Sequence, residues 1–149
     1  MSTLPAFREP TSVEKAFNRA MGFLVGIGLA PSYMWILEVR GRKSGKLFST
    51  PVNLLELNGK QYLVAPRGRT QWVRNAEAAG EVTLKRGSAR QVFRLRELSD
   101  AEKLPVLKTY LDRFKKAVQQ FITVPAGSPP EAFIEVAPSY PSFELVKNN

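Results

Sequence analysis

The dipeptide Asn58-Gly59 stands between two runs of strand-forming residues and constrains the fold more than any other feature of the chain. Asn and Gly both tolerate positive φ, which a two-residue hairpin turn needs at its two central positions. Phe48–Leu57 and Gln61–Ala65 therefore read as strands that fold back on one another. Met34–Arg40 is a further strand, leading into the turn Gly41–Lys46. After a loop at Pro66–Thr70 the pattern is helical over Gln71–Ala79 and stops at Gly80, which reads as a C-terminal cap. Glu81–Lys85 and Ala89–Leu98 are two more strands, joined by the turn Arg86-Gly87-Ser88. Strands linked by such tight turns are antiparallel. Closure into a small barrel is the economical way to remove their exposed edges.

Helices flank this core. Thr11-Ser12-Val13-Glu14 is a capping box, and Val13, Phe17, Ala20, Met21, Leu24 and Ile27 follow at helical spacing. A helix over about Ser12–Gly28 is expected to pack on the domain; the alternative is a peripheral membrane contact through its apolar stripe. The apolar patch Phe23–Ala30 is too short and too broken by glycine to span a bilayer. Beyond the strands, Ser99-Asp100-Ala101-Glu102 opens another helix, and Pro105 predicts a late start or a kink in it. A short helix near Glu131–Val136 and a final strand at Ser142–Val146 complete the chain. Its 149 residues fit one domain, with a helical segment over 1–30, a barrel core over 34–98 and C-terminal helices and tail over 99–149. The fold class expected is mainly β, an antiparallel split β-barrel with an N-terminal helix and C-terminal helices.

The chain has neither cysteine nor histidine. Without disulfides nothing argues for secretion, and a cytoplasmic location is expected, membrane-associated if the first helix lies on a bilayer. Zinc and iron–sulfur sites of the usual kind lose their ligands, so no metal is expected. Hydrolytic triads lose their customary base. Chemistry carried by a bound cofactor needs none of these. Between Arg40 and Arg96 thirteen Lys and Arg face three acids, a net charge of +10, whereas the rest of the chain nets −1. A basic middle on a near-neutral frame points to an anionic partner held in that region.

Within it, Gly41-Arg42-Lys43-Ser44-Gly45-Lys46 sets three cations and a hydroxyl around two glycines. Glycines let backbone N–H groups converge into an anion nest, Arg offers a planar fork, Lys a point charge and Ser a short hydrogen bond. A P-loop would have four residues between its glycines and Ser or Thr after the Lys; here three intervene and Leu47 follows. Taken alone, the turn also describes an exposed basic hairpin tip.

The order of segments is more specific. Leu37 to Lys46, then Thr50-Pro51-Val52, then Gly59 to Gly68, then Trp72-Val73-Arg74-Asn75-Ala76 and Ala79-Gly80 form a series that resembles the deazaflavin-dependent nitroreductase family. The resemblance covers about Met34–Gly87 and extends more loosely to Pro141–Leu145. It implies a flavin-reductase-like split β-barrel and the deazaflavin coenzyme F-420. It also implies a phosphate grip at Arg42, Lys43 and Ser44, and a ring-holding segment at Val64, Ala65, Pro66, Arg67 and Gly68. Thr50 and Pro51 would lie under the cofactor, and Trp72 and Asn75, with Arg74 beside them, would close the site. Many members carry Arg shortly after the second glycine of the turn, where this chain has Leu47, Phe48 and Ser49. The loop Arg67–Gln71 is shorter than in the nitroreductase type.

Asn75, three residues after Trp72, shares its helix face and is expected to meet the ring's carbonyl edge. Arg67 and Arg69 would suit the cofactor's carboxylate tail. Tyr33, Tyr62 and Tyr140 are candidate proton donors, Tyr110 being the remaining phenol. The function expected is hydride transfer from reduced F-420 to a small electron-poor acceptor: a quinone, an activated alkene or a nitro compound. One alternative is FMN in the same barrel, since both cofactors carry a ribityl phosphate. Another is an anion- or nucleic-acid-binding module using the basic face over 40–96, but the aromatics do not alternate with its cations as a stacking platform requires. A homodimer and a single chain closed by its own helix both fit the sequence.

Overall fold

Asn58 and Gly59 both take positive φ, 52° and 77°, and set Leu57 opposite Lys60 across the turn. That hairpin is one edge of a seven-stranded sheet in a computed structural model that describes residues 31–147. The expected helix over Ser12–Gly28 and its membrane contact lie outside the described residues. The strands are β1 (Met34–Arg40), β2 (Leu47–Asn53), β3 (Leu55–Leu57), β4 (Lys60–Val64), β5 (Glu81–Arg86), β6 (Ala89–Glu97) and β7 (Ser142–Lys147). They stand in the order β2-β1-β5-β6-β7-β4-β3, each pair antiparallel.

The run Phe48–Leu57, expected as one strand, is two. The Leu54 N–H still donates to the Tyr33 carbonyl (2.8 Å), the next position of the β1–β2 register, and from Leu55 onward the chain pairs with β4 instead. β2 and β3 thereby become opposite edges of the sheet although one residue separates them. The sheet must curl to allow this, and the result is a half-barrel. The expected full closure is not reached, because the two edges do not hydrogen-bond to each other.

Alternation along the strands gives the curled sheet two faces. Leu37, Val39, Leu63, Val82, Leu84, Phe93 and Leu145 point to the inner one and form a core. Helix α1 (Gln71–Ala79) lays Ala76 on it. Leu55 and Val64 point outward, where helix α2 (Asp100–Val118) covers them with Val106, Leu107, Tyr110 and Leu111. Ser99 and Glu102 form the expected capping box, with Ser99 Oγ accepting from the Glu102 N–H and the Glu102 carboxylate from the Ser99 N–H. α2 starts at Asp100, not late, and departs from helical geometry only at Phe114. Pro105 removes the partner of the Ala101 carbonyl, but both residues are exposed, so water satisfies that group. In place of the short helix expected near Glu131–Val136 there are two 3₁₀ turns, Pro130–Phe133 and Ala137–Ser139. Lys103 is buried and donates to the Ala137 carbonyl at 3.0 Å, tying the second turn to α2.

Two tyrosines belong to the outer core. Tyr110 is buried edge-on to Phe114. Tyr140 is fully buried, its hydroxyl donating to the Phe121 carbonyl (3.1 Å) and accepting from the Thr123 N–H (3.3 Å). Burial pushes both phenols above their ordinary pKa, most strongly at Tyr110. The folded chain thus holds these protons more tightly than the unfolded chain does. Their contribution to stability is complete below the unfolded phenol pKa near ~10 and is lost as pH rises through the raised folded values. Denaturant titrations between pH 8 and about 12 should show stability falling above ~10, with a shallower fall in Tyr110→Phe. At Gly80, φ is 75° and a Cβ would meet nothing within 4 Å. Gly80→Ala should therefore cost only the left-handed backbone penalty, ~1 kcal/mol by chemical denaturation.

Candidate functional site

The tip Gly41–Lys46 joining β1 to β2 is tied together internally. The Gly41 N–H donates to the Lys46 carbonyl (2.7 Å), and the Gly45 N–H, at φ 73°, to the Gly41 carbonyl (3.0 Å). The Lys46 N–H donates to Ser44 Oγ (3.2 Å), and Arg40 Nη1 to the Gly45 carbonyl (3.0 Å). A Cβ on Gly41 would stand 2.6 Å from Cε2 of Phe48, whose ring lies over the turn. The nest is narrower than the two glycines suggest: of the backbone donors at the tip, only the N–H groups of Lys43 and Ser44 lack a bond among the described residues. Neither Lys43 nor Lys46 has an ion pair among the described residues.

α1 meets this tip. Its Asn75 is buried, and Oδ1 accepts from both the Arg42 N–H (3.1 Å) and Arg42 Nη1 (2.7 Å). Gln71, one turn earlier, accepts from the same Nη1 at 3.0 Å. Gln71 was not among the residues the sequence singled out; its only signal is the i, i+4 spacing to Asn75. The start of α1 has no side-chain cap and no acidic residue in its first turn. Thr70 Oγ1, immediately before it, is buried without a hydrogen-bond partner among the described residues. Uncapped helix N–H groups, an orphaned hydroxyl and three cations suit a phosphate, which is rich in acceptors.

The segment expected to hold the cofactor ring leads directly into α1. Ala65 is buried and donates its N–H to the Pro141 carbonyl (2.9 Å). Gly68 turns the chain at φ 85°. Trp72 is half-buried and tilted against Phe143, ring centroids 6.2 Å apart, so one part of the indole belongs to the core. Thr50 lies opposite Leu37 and shares its inner face. Pro51 lies opposite Ile36 on the outer face, and Val64 packs toward α2, so neither side chain joins Thr50 and Ala65. Arg67 stacks over Phe121, 4.6 Å from the ring centroid. Arg69 pairs with Glu77 at 2.9 Å, and Arg74 Nε donates to the Arg69 carbonyl (3.3 Å). Desolvation outweighs Arg69 at Glu77 and raises its pKa.

The candidate donors separate clearly. Tyr140 is committed to two backbone groups. Tyr62 is half-buried on the α2 side of β4. Tyr33 is 42% exposed, its ring tilted by 43° against that of Phe114, centroids 5.0 Å apart. No helix among the described residues is long and apolar enough to cross a membrane.

Comparison with solved structures returns 46 similar chains. One, described as a domain-swapped dimer, has a TM-score of 0.58 at 19% identity and aligns 89% of this chain with 96% of its own. A protein of unknown function from Agrobacterium tumefaciens str. C58 has a TM-score of 0.57 at 19% identity, with 88% of this chain covering 55% of that one. An F420-H2 dependent reductase has a TM-score of 0.52 at 21% identity, 76% of this chain covering 94% of that one. Identities this low establish the common fold. No curated protein sequence matches the chain. The family model described as F420H(2)-dependent quinone reductase matches residues 8–122, well over half of the chain. The chain therefore belongs to that family of reductases, and its cofactor is coenzyme F-420.

Proposed function

We propose that this reductase passes hydride from reduced F-420 to an electron-poor acceptor, in the first place a quinone, with activated alkenes and nitro compounds as chemically related acceptors. The observation that carries the reading is Arg42, anchored on Nη1 at the uncapped start of α1 beside Lys43 and Lys46. In this reading Arg42, Lys43 and Ser44 hold the phosphate, with the first N–H groups of α1 behind it. Ala65, Pro66 and Gly68 offer backbone to one edge of the ring, and Thr50 and Trp72 line its flanks. When bound, the deazaflavin supplies a two-electron hydride donor. The chain orients it, exposes one face and keeps water from the other. Solvent is the proton source in this reading, with Tyr33 the candidate phenol by its exposure alone, its ring packing on Phe114 of α2. Tyr110 and Tyr140 hold their protons too firmly for that role.

A homodimer belongs to the same proposal. Among the described residues β2 is an unpaired edge, and Leu47 and Phe48 on it are each 50% exposed. Sedimentation of the full chain should give twice the monomer mass.

Titration with oxidised F-420, followed by fluorescence quenching, should show tight binding, and FMN should bind far more weakly. Arg42→Ala with Lys43→Ala should together weaken F-420 by ~3 kcal/mol, on the scale of charge-assisted hydrogen bonds. Unchanged affinity would place the phosphate elsewhere. Steady-state assays with a short-chain quinone should show turnover that follows the same loss.

A further inference from the structure

We propose that Asn75 and Gln71 are positioning residues that act through Arg42, their side-chain oxygens orienting its guanidinium for an anion. The proposal rests on the reading of Arg42 as a phosphate ligand.

The donor and acceptor inventory carries it. Nη1 of an arginine has two hydrogens, and here one acceptor on Asn75 (2.7 Å) and one on Gln71 (3.0 Å) take both. The donors that remain are Nε–H and Nη2–H₂, which have no partner among the described residues. Nε and Nη2 form the side of the guanidinium that offers two parallel N–H groups to one anion. Saturating Nη1 thus selects the bidentate edge for the ligand. Asn75 Oδ1 is saturated in turn: it accepts from Nη1 and from the Arg42 N–H, 3.1 Å away. Both its lone pairs are used within the protein, so the oxygen is committed to holding Arg42, and only the Nδ2 amide donors of Asn75 stay available to a neighbouring acceptor.

The mounting is rigid. Asn75 is 4% exposed, and its neighbours Val73 and Ala76 are fully buried. Gln71 and Asn75 lie one turn apart on the same face of α1. One oxygen holds Arg42 by both its main chain and its side chain, so the tip and its fork move with the helix. Without the clamp the long side chain would sample many rotamers and present its edge only part of the time.

The test compares F-420 with the same deazaflavin carrying a ribityl chain but no phosphate, each titrated by fluorescence quenching. Asn75→Ala should weaken F-420 by ~10-fold, Gln71→Ala by ~3-fold, and neither should alter the phosphate-free ligand. In the Arg42→Ala background, Asn75→Ala should cost F-420 nothing further, because the group it positions is gone. Gln71 is exposed, so Gln71→Ala reads the clamp even if Asn75→Ala does not fold. Asn75→Ala with wild-type F-420 affinity, or with equal losses for both ligands, overturns the clamp, as does an undiminished cost in the Arg42→Ala background. A wild-type chain that binds F-420 while these variants behave in that way leaves the cofactor site standing. A wild-type chain that binds neither ligand overturns both.

Discussion

Leu54 imposes the constraint on which the architecture depends. It carries the chain from β2 directly into β3, yet these strands pair with β1 and β4 at opposite ends of the sheet. One residue spans less than 4 Å per step, so the two edges must approach one another. Strand twist gives the sheet its curl, and the curl makes the concave face that holds Leu37, Leu63 and Phe93. α1 packs against that face, and the start of α1 is where the basic tip meets it. A flat sheet of the same strands would leave Arg42 and Asn75 on unrelated surfaces.

The basic middle of the chain is not one surface. Glu38, buried on β1, pairs with Lys85 and Arg90. Arg96 is held between Glu144 and Glu102, which raises its pKa, and the Ser99 N–H together with Arg96 lowers that of Glu102. Arg69 is held by Glu77. These pairs use up charge on the strands and loops, while Lys43 and Lys46 keep theirs at the tip. The local field there exceeds what the net charge of the stretch conveys, because its counter-charges lie elsewhere.

Much of this was legible from local signals. Asn58-Gly59, Gly80 and the Ser99–Glu102 box each declare a conformation through their own backbone or side-chain chemistry, and each forms where expected. The break at Leu54 had no such signal, since no glycine or proline stands there and the chain simply exchanges β1 for β4 as its partner. Pro105 misled in the other direction, because an exposed second turn tolerates the lost bond. At the site, the residue types at Arg42 and Asn75 were readable, but not that they bond to each other. They lie 33 residues apart, and only the curl of the sheet brings them together. Pro51 and Val64 point to the α2 side because successive strand residues alternate, each opposite in direction to its neighbour Thr50 or Ala65.

The position of β7 has a consequence for how the chain reaches this state. β7 pairs with β6 on one side and β4 on the other, and no ladder joins the two groups β2-β1-β5-β6 and β4-β3 without it. During synthesis the first six strands emerge as two separate patches, each with an unsatisfied edge. The last strand is the keystone: the cradle around α1 acquires its final curvature only after residues 142–147 have left the ribosome. Until β7 is in place the two patches share no continuous wall, so the curvature around α1 depends on a strand distant in sequence from the rest.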